Sequence, residues 1–249
     1  MYSLPKEIHR EIISWLKPET QQIARLVDLY FAGLIQPRRV NLLEFGAKHG
    51  VLEYCEIGLV RGNLKIRVCI IAAKHGHLEV LQWAREHGCP WNEWTCARAA
   101  QNGHLEVLQW ARSQGCPWSA YTCAWAAENG HIEVLKWARE HGCPWNEWTC
   151  ARAALNGHLK VLQWARSNGC PWDSDTCAQA ALNGHLEVLQ WAREHGCPWN
   201  EWTCARAAQN GHLEVLQWAL DNGCPWNHRM VDLSSFPKHI REYLVVLRG

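Results

Sequence analysis

The fold is decided by the stretch from residue 94 to residue 120, which reads WTCARAAQNGHLEVLQWARSQGCPWSA and recurs along most of the chain with a period of 27 residues. A Gly-His dipeptide marks each clear copy, beginning at Gly76, Gly103, Gly130, Gly157, Gly184 and Gly211. A fixed period between about 20 and 50 residues is typical of a solenoid, in which each unit stacks on its neighbours because it cannot bury its own apolar face. The sequence therefore predicts a repeat protein.

Each unit divides into two short helices. Thr95 is the predicted N-cap of the first helix, and Gly103 ends that helix because glycine adopts the left-handed conformation of a C-terminal cap at little cost. The second helix is predicted over residues 104–114, with His104 at its start forming a local hydrogen bond. Its apolar residues cover a wide face, and its polar stripe, which should face solvent, consists of Glu106, Gln109 and Ser113.

A Cys-Pro-Trp motif closes each unit. In the unit quoted above, Gly115 ends the second helix and Pro117 prevents its continuation. Trp118 is expected to fold back as an apolar plug between neighbouring units.

The order Ala99-Ala100-x-x-Gly103-His104-Leu105-Glu106-Val107 resembles the ankyrin repeat, whose usual unit has about 33 residues with a β-turn and two helices. The unit here is shorter, and the missing residues fall after Trp118, where ankyrin repeats carry a projecting β-hairpin finger. Two helices leave only about five residues for the connection between units. We therefore expect an all-α solenoid of stacked helix-turn-helix repeats without fingers, closed by helical caps at both ends.

The array is predicted to cover residues 40–228 as seven units, the first of which, 40–66, is degenerate. In that unit Gly50-Val51-Leu52 stands where the next unit has Gly76-His77-Leu78. Residues 229–249 are predicted to form a C-terminal capping helix, because apolar residues recur there at helical spacing, namely Phe236, Ile240, Tyr243, Leu244 and Leu247.

Residues 1–39 lie outside the array. The order Leu4-Pro5-x-Glu7-Ile8, Ile12, Leu16-x-Pro18 and Arg25-Leu26-Val27 resembles the first two thirds of an F-box. F-boxes dock on the Skp-type adaptor of cullin ubiquitin ligases, and the resemblance implies adaptor contacts by Leu4, Pro5, Ile8, Ile12 and Leu16. The alternative is an amphipathic helical cap that closes the N-terminal end of the solenoid.

Thirteen cysteines recur in register with the repeat, as in Cys89 with Cys96 and Cys116 with Cys123. Their odd number argues against a complete disulfide framework, and no CxxC motif is present to bind a metal. We interpret the cysteines as small buried apolar residues, since free cysteine is among the most buried residue types. No metal ligand and no cofactor site is predicted.

The charge is balanced, with 25 Lys+Arg against 24 Asp+Glu, so binding to nucleic acid or to an anionic membrane is not expected. The N-terminus does not resemble a signal peptide, and no apolar run is long enough to cross a bilayer. These features favour an intracellular, cytoplasmic protein. No catalytic residue is predicted, because the sequence has no phosphate-binding loop, nucleophile elbow or unrepeated acid-base cluster, and a small-molecule ligand is not expected.

The positions that differ between units are the candidates for function, because stacking explains the positions that do not. Two such positions lie three residues apart on the first helix, on the side that ankyrin proteins use for partners. We call this surface the first-helix face, and its predicted residues are Arg98, Gln101, Trp125, Glu128, Arg152, Leu155, Gln179, Leu182, Arg206 and Gln209. Trp125, Leu155 and Leu182 are expected to be exposed, and Trp and Arg are enriched at interface hot spots.

The leading interpretation is a protein-protein interaction module that binds a partner on this face. The alternative is an F-box substrate adaptor of a cullin-type ubiquitin ligase, and a weaker one is a metal-binding or enzymatic repeat protein. The uniform array resembles expanded ankyrin families of large DNA viruses and some protists, which implies a host protein as the partner and the host cytoplasm as the location.

Overall fold

The computed structural model describes residues 42–60, 65, 67–226 and 236–246. These residues form fifteen α-helices and no strand, which confirms the all-α prediction. The helices are α1 (Leu42–His49), α2 (Leu52–Val60), α3 (Val68–His75), α4 (Leu78–Glu86), α5 (Glu93–Gln101), α6 (Leu105–Ser113), α7 (Ala120–Glu128), α8 (Ile132–Glu140), α9 (Glu147–Leu155), α10 (Leu159–Ser167), α11 (Ser174–Leu182), α12 (Leu186–Glu194), α13 (Glu201–Gln209), α14 (Leu213–Asp221) and α15 (Lys238–Val246). None of them is long and apolar enough to cross a membrane.

The first helix of a unit begins earlier than the sequence suggested. In α5 the N-cap is Asn92, whose side-chain oxygen accepts a hydrogen bond from the Trp94 amide at 3.1 Å. Thr95 lies within the first turn and is fully buried, so its predicted role as the N-cap is wrong. Asparagine and aspartate are strong N-caps, and both occur at this position in the later units, as Asn146, Asp173 and Asn200.

The turn between the two helices depends on glycine. Gly103 adopts a φ of 74°, in the left-handed region that favours glycine. The His104 amide then donates to the Ala99 carbonyl at 2.9 Å, and the Gly103 amide donates to the Ala100 carbonyl at 3.3 Å. This pattern satisfies carbonyls that the end of the helix would otherwise leave unpaired.

The core runs continuously along the stack, because each first helix packs against the first helices of the neighbouring units. Small side chains allow this close approach, and Ala99 and Ala100 are fully buried between α3 and α7. Leu108 and Ala111 of the second helix are also fully buried. The predicted polar stripe of Glu106, Gln109 and Ser113 is exposed, as expected.

The repeated histidine joins one unit to the previous one. His104 Nε2 donates to the Lys74 carbonyl at 3.1 Å, so the predicted local hydrogen bond is wrong. Its ring also lies against Gly76, where an added Cβ would come within 2.8 Å of the imidazole. Each Gly-His dipeptide therefore serves two interfaces, since the glycine receives the ring of the next unit while the histidine binds the preceding one.

The Cys-Pro-Trp motif lies at the junction between second helices. The Arg112 side chain donates to the Cys116 carbonyl and stacks over the Trp118 ring, 4.0 Å from its centroid. Trp118 meets Trp137 of the next unit edge to face, with ring centroids 6.0 Å apart. The expected plug between units is thus formed by a half-buried Trp118, and it also includes an arginine.

The cysteines of the described residues are free and buried. The Cys116 thiol donates to the Asn92 carbonyl at 3.5 Å, and equivalent bonds recur in the later units. Burial raises the pKa of the Cys55 and Cys69 thiols to about 12. The thiols of Cys116 and its later copies therefore act as small donors that connect the end of a unit to the N-cap of its own first helix.

The ends of the described array use the same contacts. His77 Nε2 donates to the Lys48 carbonyl at 3.1 Å, which connects α1 to the following unit. At the other end, His239 Nε2 donates to the Gly211 carbonyl at 3.0 Å, and α15 buries Ile240 and Leu244. The predicted segment 1–39, with its five candidate adaptor contacts, and residues 227–235 and 247–249 lie outside the described residues.

Candidate partner-binding face

The side of each first helix opposite the core forms the first-helix face. Along α5 the residues that alternate with the buried alanines are Trp94, Arg98 and Gln101, which lie on one side of the helix because they are four and three residues apart. The same three positions recur on α7, α9, α11 and α13. Since these helices pack side by side, their variable residues form a continuous surface along the stack.

An aromatic cluster lies where α5 and α7 meet on this face. The ring centroids of Trp94 and Tyr121 are 5.3 Å apart, those of Trp94 and Trp125 are 5.2 Å apart, and those of Tyr121 and Trp125 are 6.0 Å apart. The Arg98 guanidinium lies over the Trp125 ring at 4.6 Å and donates to Gln101 Oε1 at 2.6 Å. These contacts hold the arginine over the cluster.

Two ion pairs join neighbouring units farther along the face. Arg152 lies 3.6 Å from Glu128, and Arg206 lies 3.3 Å from Asp175. The Arg152 guanidinium is also 5.3 Å from the centroid of the Trp148 ring. Because these side chains are only partly buried, each pair contributes about 1 kcal/mol or less to stability.

The structure places the ten predicted face residues on this surface, but it corrects their exposure. Trp125, Leu155 and Leu182 were expected to be exposed and are half-buried, because adjacent first helices pack closely enough to cover part of each side chain. The other predicted residues are half-buried as well, apart from Gln209, which is exposed.

Sequence reasoning missed the more exposed rings. Tyr121 is 49% exposed, Trp148 is 48% exposed and Trp202 is 47% exposed, and all three occupy the position four residues before the predicted arginine or tryptophan. The signal that could have found them is the replacement of this aromatic by Asp175 in one unit, since a packing role would not tolerate a carboxylate.

A profile of the family described as ankyrin repeats (many copies) matches residues 69–112, 123–166 and 177–220, more than half of the chain. The chain belongs to the ankyrin repeat family. A solved structure of the human ASB11 ankyrin repeat domain is similar over 73% of this chain and 97% of that chain, with 16% sequence identity and a TM-score of 0.56. This likeness shows the fold alone. A search of curated proteins gave no match.

Compared with the usual ankyrin unit, the repeats of this protein have very short connections. Between α6 and α7 the chain passes through residues 114–119 without forming a strand. Any partner that binds the first-helix face therefore meets the N-terminal ends of the first helices directly, without a projecting hairpin beside them.

The ankyrin stack also has a shallow depression on the first-helix face between α11 and α13. Its volume is about 220 Å³, and its lining includes Asp175, Asn200, Trp202, Arg206 and Gln209. The exposed Trp202 forms an apolar wall, and the Asp175–Arg206 ion pair forms a polar one. Within the described residues, no three His, Cys, Asp or Glu side chains come together in a way that would hold a metal ion.

Proposed function

We propose that this ankyrin repeat protein is a protein-protein interaction module that binds its partner on the first-helix face. The observation that carries the proposal is the aromatic cluster with Arg98 stacked on it, together with the exposed rings of Trp148 and Trp202 farther along the same face. Packing between units relies on residues that are nearly invariant from copy to copy, whereas this face varies. Tryptophan, tyrosine and arginine are the residue types that most often dominate interface energies.

The proposal is tested by affinity capture with the full chain, with partners identified by mass spectrometry. Trp125→Gln is the informative variant, because Gln179 occupies the same position of α11 and shows that the fold accepts it. We expect a partner captured by the wild type to bind this variant about thirtyfold more weakly, as for loss of an interface anchor.

A matched control is Glu106→Lys on the exposed stripe of α6, where the corresponding residue of α10 is Lys160. This variant should bind normally. If Glu106→Lys weakens binding and Trp125→Gln does not, the partner binds the second-helix side and the proposal is wrong.

A second candidate function is that of a substrate adaptor of a cullin-type ubiquitin ligase. It is favoured by the F-box-like order of Leu4, Pro5, Ile8, Ile12 and Leu16. The expected result is recovery of a Skp-type adaptor and a cullin by the full chain and loss of both with the double variant Ile8→Glu/Leu16→Glu. If the wild type captures neither protein, the adaptor function is wrong and the segment is interpreted as a capping element.

The ankyrin repeat fold is typically a non-catalytic scaffold, and the proposed role needs neither an enzyme activity nor a cofactor. The resemblance of this uniform array to the expanded families of large DNA viruses and some protists supports a host protein as the partner and the cytoplasm as the location. Affinity capture should therefore use lysate of the host cell and compare its cytoplasmic and nuclear fractions.

A further inference from the structure

The ion pairs of the first-helix face follow a positional rule. Arg152 is paired with Glu128, which lies 24 residues earlier in the preceding unit. Arg206 is paired with Asp175, which lies 31 residues earlier, also in the preceding unit. Each arginine thus finds its carboxylate at one of two places on the neighbouring first helix.

Arg98 occupies the same position on α5, but both of those places carry a positive charge. The residue 24 positions earlier is Lys74, and the residue 31 positions earlier is Arg67. Both are exposed. Arg98 on α5, Lys74 on α3 and Arg67 just before α3 therefore form a group of three positive charges, which we call the basic triad. Lys74 and Arg67 stand at the two positions that supply a carboxylate to the other arginines.

The surroundings of Lys74 are positive as well. Burial lowers the pKa of His75, and the positive charges of Lys74, His77 and Lys48 lower it further. The carboxylates on the flanking first helices are Glu44 on α1, Glu93 in the first turn of α5, and Glu128, which is already paired with Arg152. A local excess of positive charge in a nearly neutral protein indicates a negatively charged ligand.

The basic triad adjoins the aromatic cluster, because Arg98 belongs to the triad and stacks on Trp125. From these contacts we infer that this part of the face binds an acidic segment of a partner protein. Its carboxylates pair with Arg67, Lys74 and Arg98, while an apolar or aromatic side chain packs on Trp94 and Tyr121. The inference rests on the proposed function and specifies the chemistry of the partner.

The spacing fits an extended peptide. Adjacent stacked helices are about 8–10 Å apart, and an extended chain advances about 3.3 Å per residue. Two carboxylates about three residues apart can therefore reach neighbouring units. An arginine already held over a ring pairs well with a carboxylate, because its planar fork loses little freedom when it binds. A polynucleotide fits less well, since the overall charge is +1 and the cluster is bordered by Glu93 and Glu128.

The repeat supplies its own test variants. Lys74→Glu introduces the residue that stands at the equivalent position of α7 as Glu128, and Arg67→Asp introduces the one that stands on α11 as Asp175. Both changes should give Arg98 an ion-pair partner within the chain. Because both residues already occupy these positions in other units, the double variant should fold. The control is Lys160→Glu on α10, where the other clear units carry glutamate, for example Glu133 and Glu187.

The experiment is selection of binders from a displayed library of random short peptides by the full-length wild type, the double variant and the control, with affinities of selected peptides measured by fluorescence polarisation. We expect the wild type and Lys160→Glu to select peptides in which Asp or Glu flank an apolar residue. The double variant should bind those peptides at least about tenfold more weakly.

The outcomes separate this inference from the proposed function. Selected peptides that are neutral or basic, yet bind more weakly to Trp125→Gln, would overturn the acidic partner and leave the first-helix face as the binding site. Peptides insensitive to Trp125→Gln and to the double variant would overturn both. Selection of no peptide, or tighter binding of a single-stranded oligonucleotide that competes at the triad, would overturn the acidic segment.

Discussion

At the scale of single residues, the Gly-His dipeptide is constrained both by the turn within a unit and by the contact with the next unit. The glycine must adopt a positive φ and must also leave room for the imidazole of the next unit. The histidine in turn satisfies a carbonyl at the end of the preceding first helix. Two neighbouring residues therefore determine both the turn within a unit and the distance between units.

The contribution of the imidazole contact can be separated from backbone strain with two alanine substitutions. Gly130→Ala places a Cβ within 2.9 Å of the His158 ring, whereas Gly142→Ala meets no atom within 4 Å, although both glycines have positive φ values of 75° and 81°. We expect Gly142→Ala to lower the free energy of unfolding by about 1–2 kcal/mol and Gly130→Ala to lower it more. Urea denaturation measures both, and equal losses would show that the histidine contact adds nothing.

Histidine burial also predicts a pH dependence of stability. Burial lowers the pKa of His104 and His185 from the ordinary value of 6.5. A lowered pKa in the folded state means that the unfolded chain binds the proton first, so the free energy of unfolding is highest above pH 6.5 and falls as the pH decreases through the folded-state pKa.

The double variant His104→Gln/His185→Gln should therefore show a shallower fall in stability between neutral and mildly acidic pH than the wild type. Urea midpoints measured across this range test the prediction, with His141→Gln, at an exposed histidine, as the control. An unchanged slope in the double variant would contradict it.

At the scale of the helices, the repeat contains a natural comparison of N-caps. Asn92, Asn146, Asp173 and Asn200 each accept a hydrogen bond from the amide two residues later. Ser119 has the same extended backbone but makes no capping bond, and its buried hydroxyl has no hydrogen-bond partner among the described residues. Helix α7, which carries Tyr121 and Trp125, is thus the least well capped of the first helices α5, α7, α9, α11 and α13.

Ser119→Asn should supply the missing cap and raise the free energy of unfolding by up to about 1 kcal/mol. The measurement is urea denaturation, with Asn146→Ala as the reciprocal variant that should lose a similar amount. Binding of a captured partner should be unchanged by Ser119→Asn, because the substitution adds a cap and leaves the Tyr121 and Trp125 side chains in place. A loss of stability would show that asparagine does not fit at this position.

At the scale of the whole molecule, stability arises from contacts between adjacent units, and no disulfide joins the described residues. The thiols are free and buried, and the loop thiols Cys116, Cys143, Cys170, Cys197 and Cys224 each donate to the carbonyl 24 residues earlier, at the N-cap of a first helix. Metal binding that supported the fold would make chelators denaturing. The melting temperature should therefore be the same with and without a chelator, and stoichiometric zinc in the purified protein would contradict this.

The sequence by itself determined the all-α class, the two helices per unit, the turns at glycine and the solvent side of the second helix. These features depend on interactions within a few residues of one another, so the pattern of a single unit contains the information. The Thr95 cap failed for a local reason: Asn92 competes for the same helix start, and only a burial argument would have placed the threonine inside.

Only the tertiary structure decided which atoms meet between units. Examples are the hydrogen bond from His104 to the Lys74 carbonyl, the ion pair of Arg152 with Glu128 and the exposure of the Trp148 ring. All three depend on the rotation and spacing of the stacked helices. That geometry is set by the size of the alanines and glycines between the helices, and it cannot be read from the period alone. The basic triad likewise required the structure, because the ion pairs show which positions of one first helix lie beside the arginine of the next.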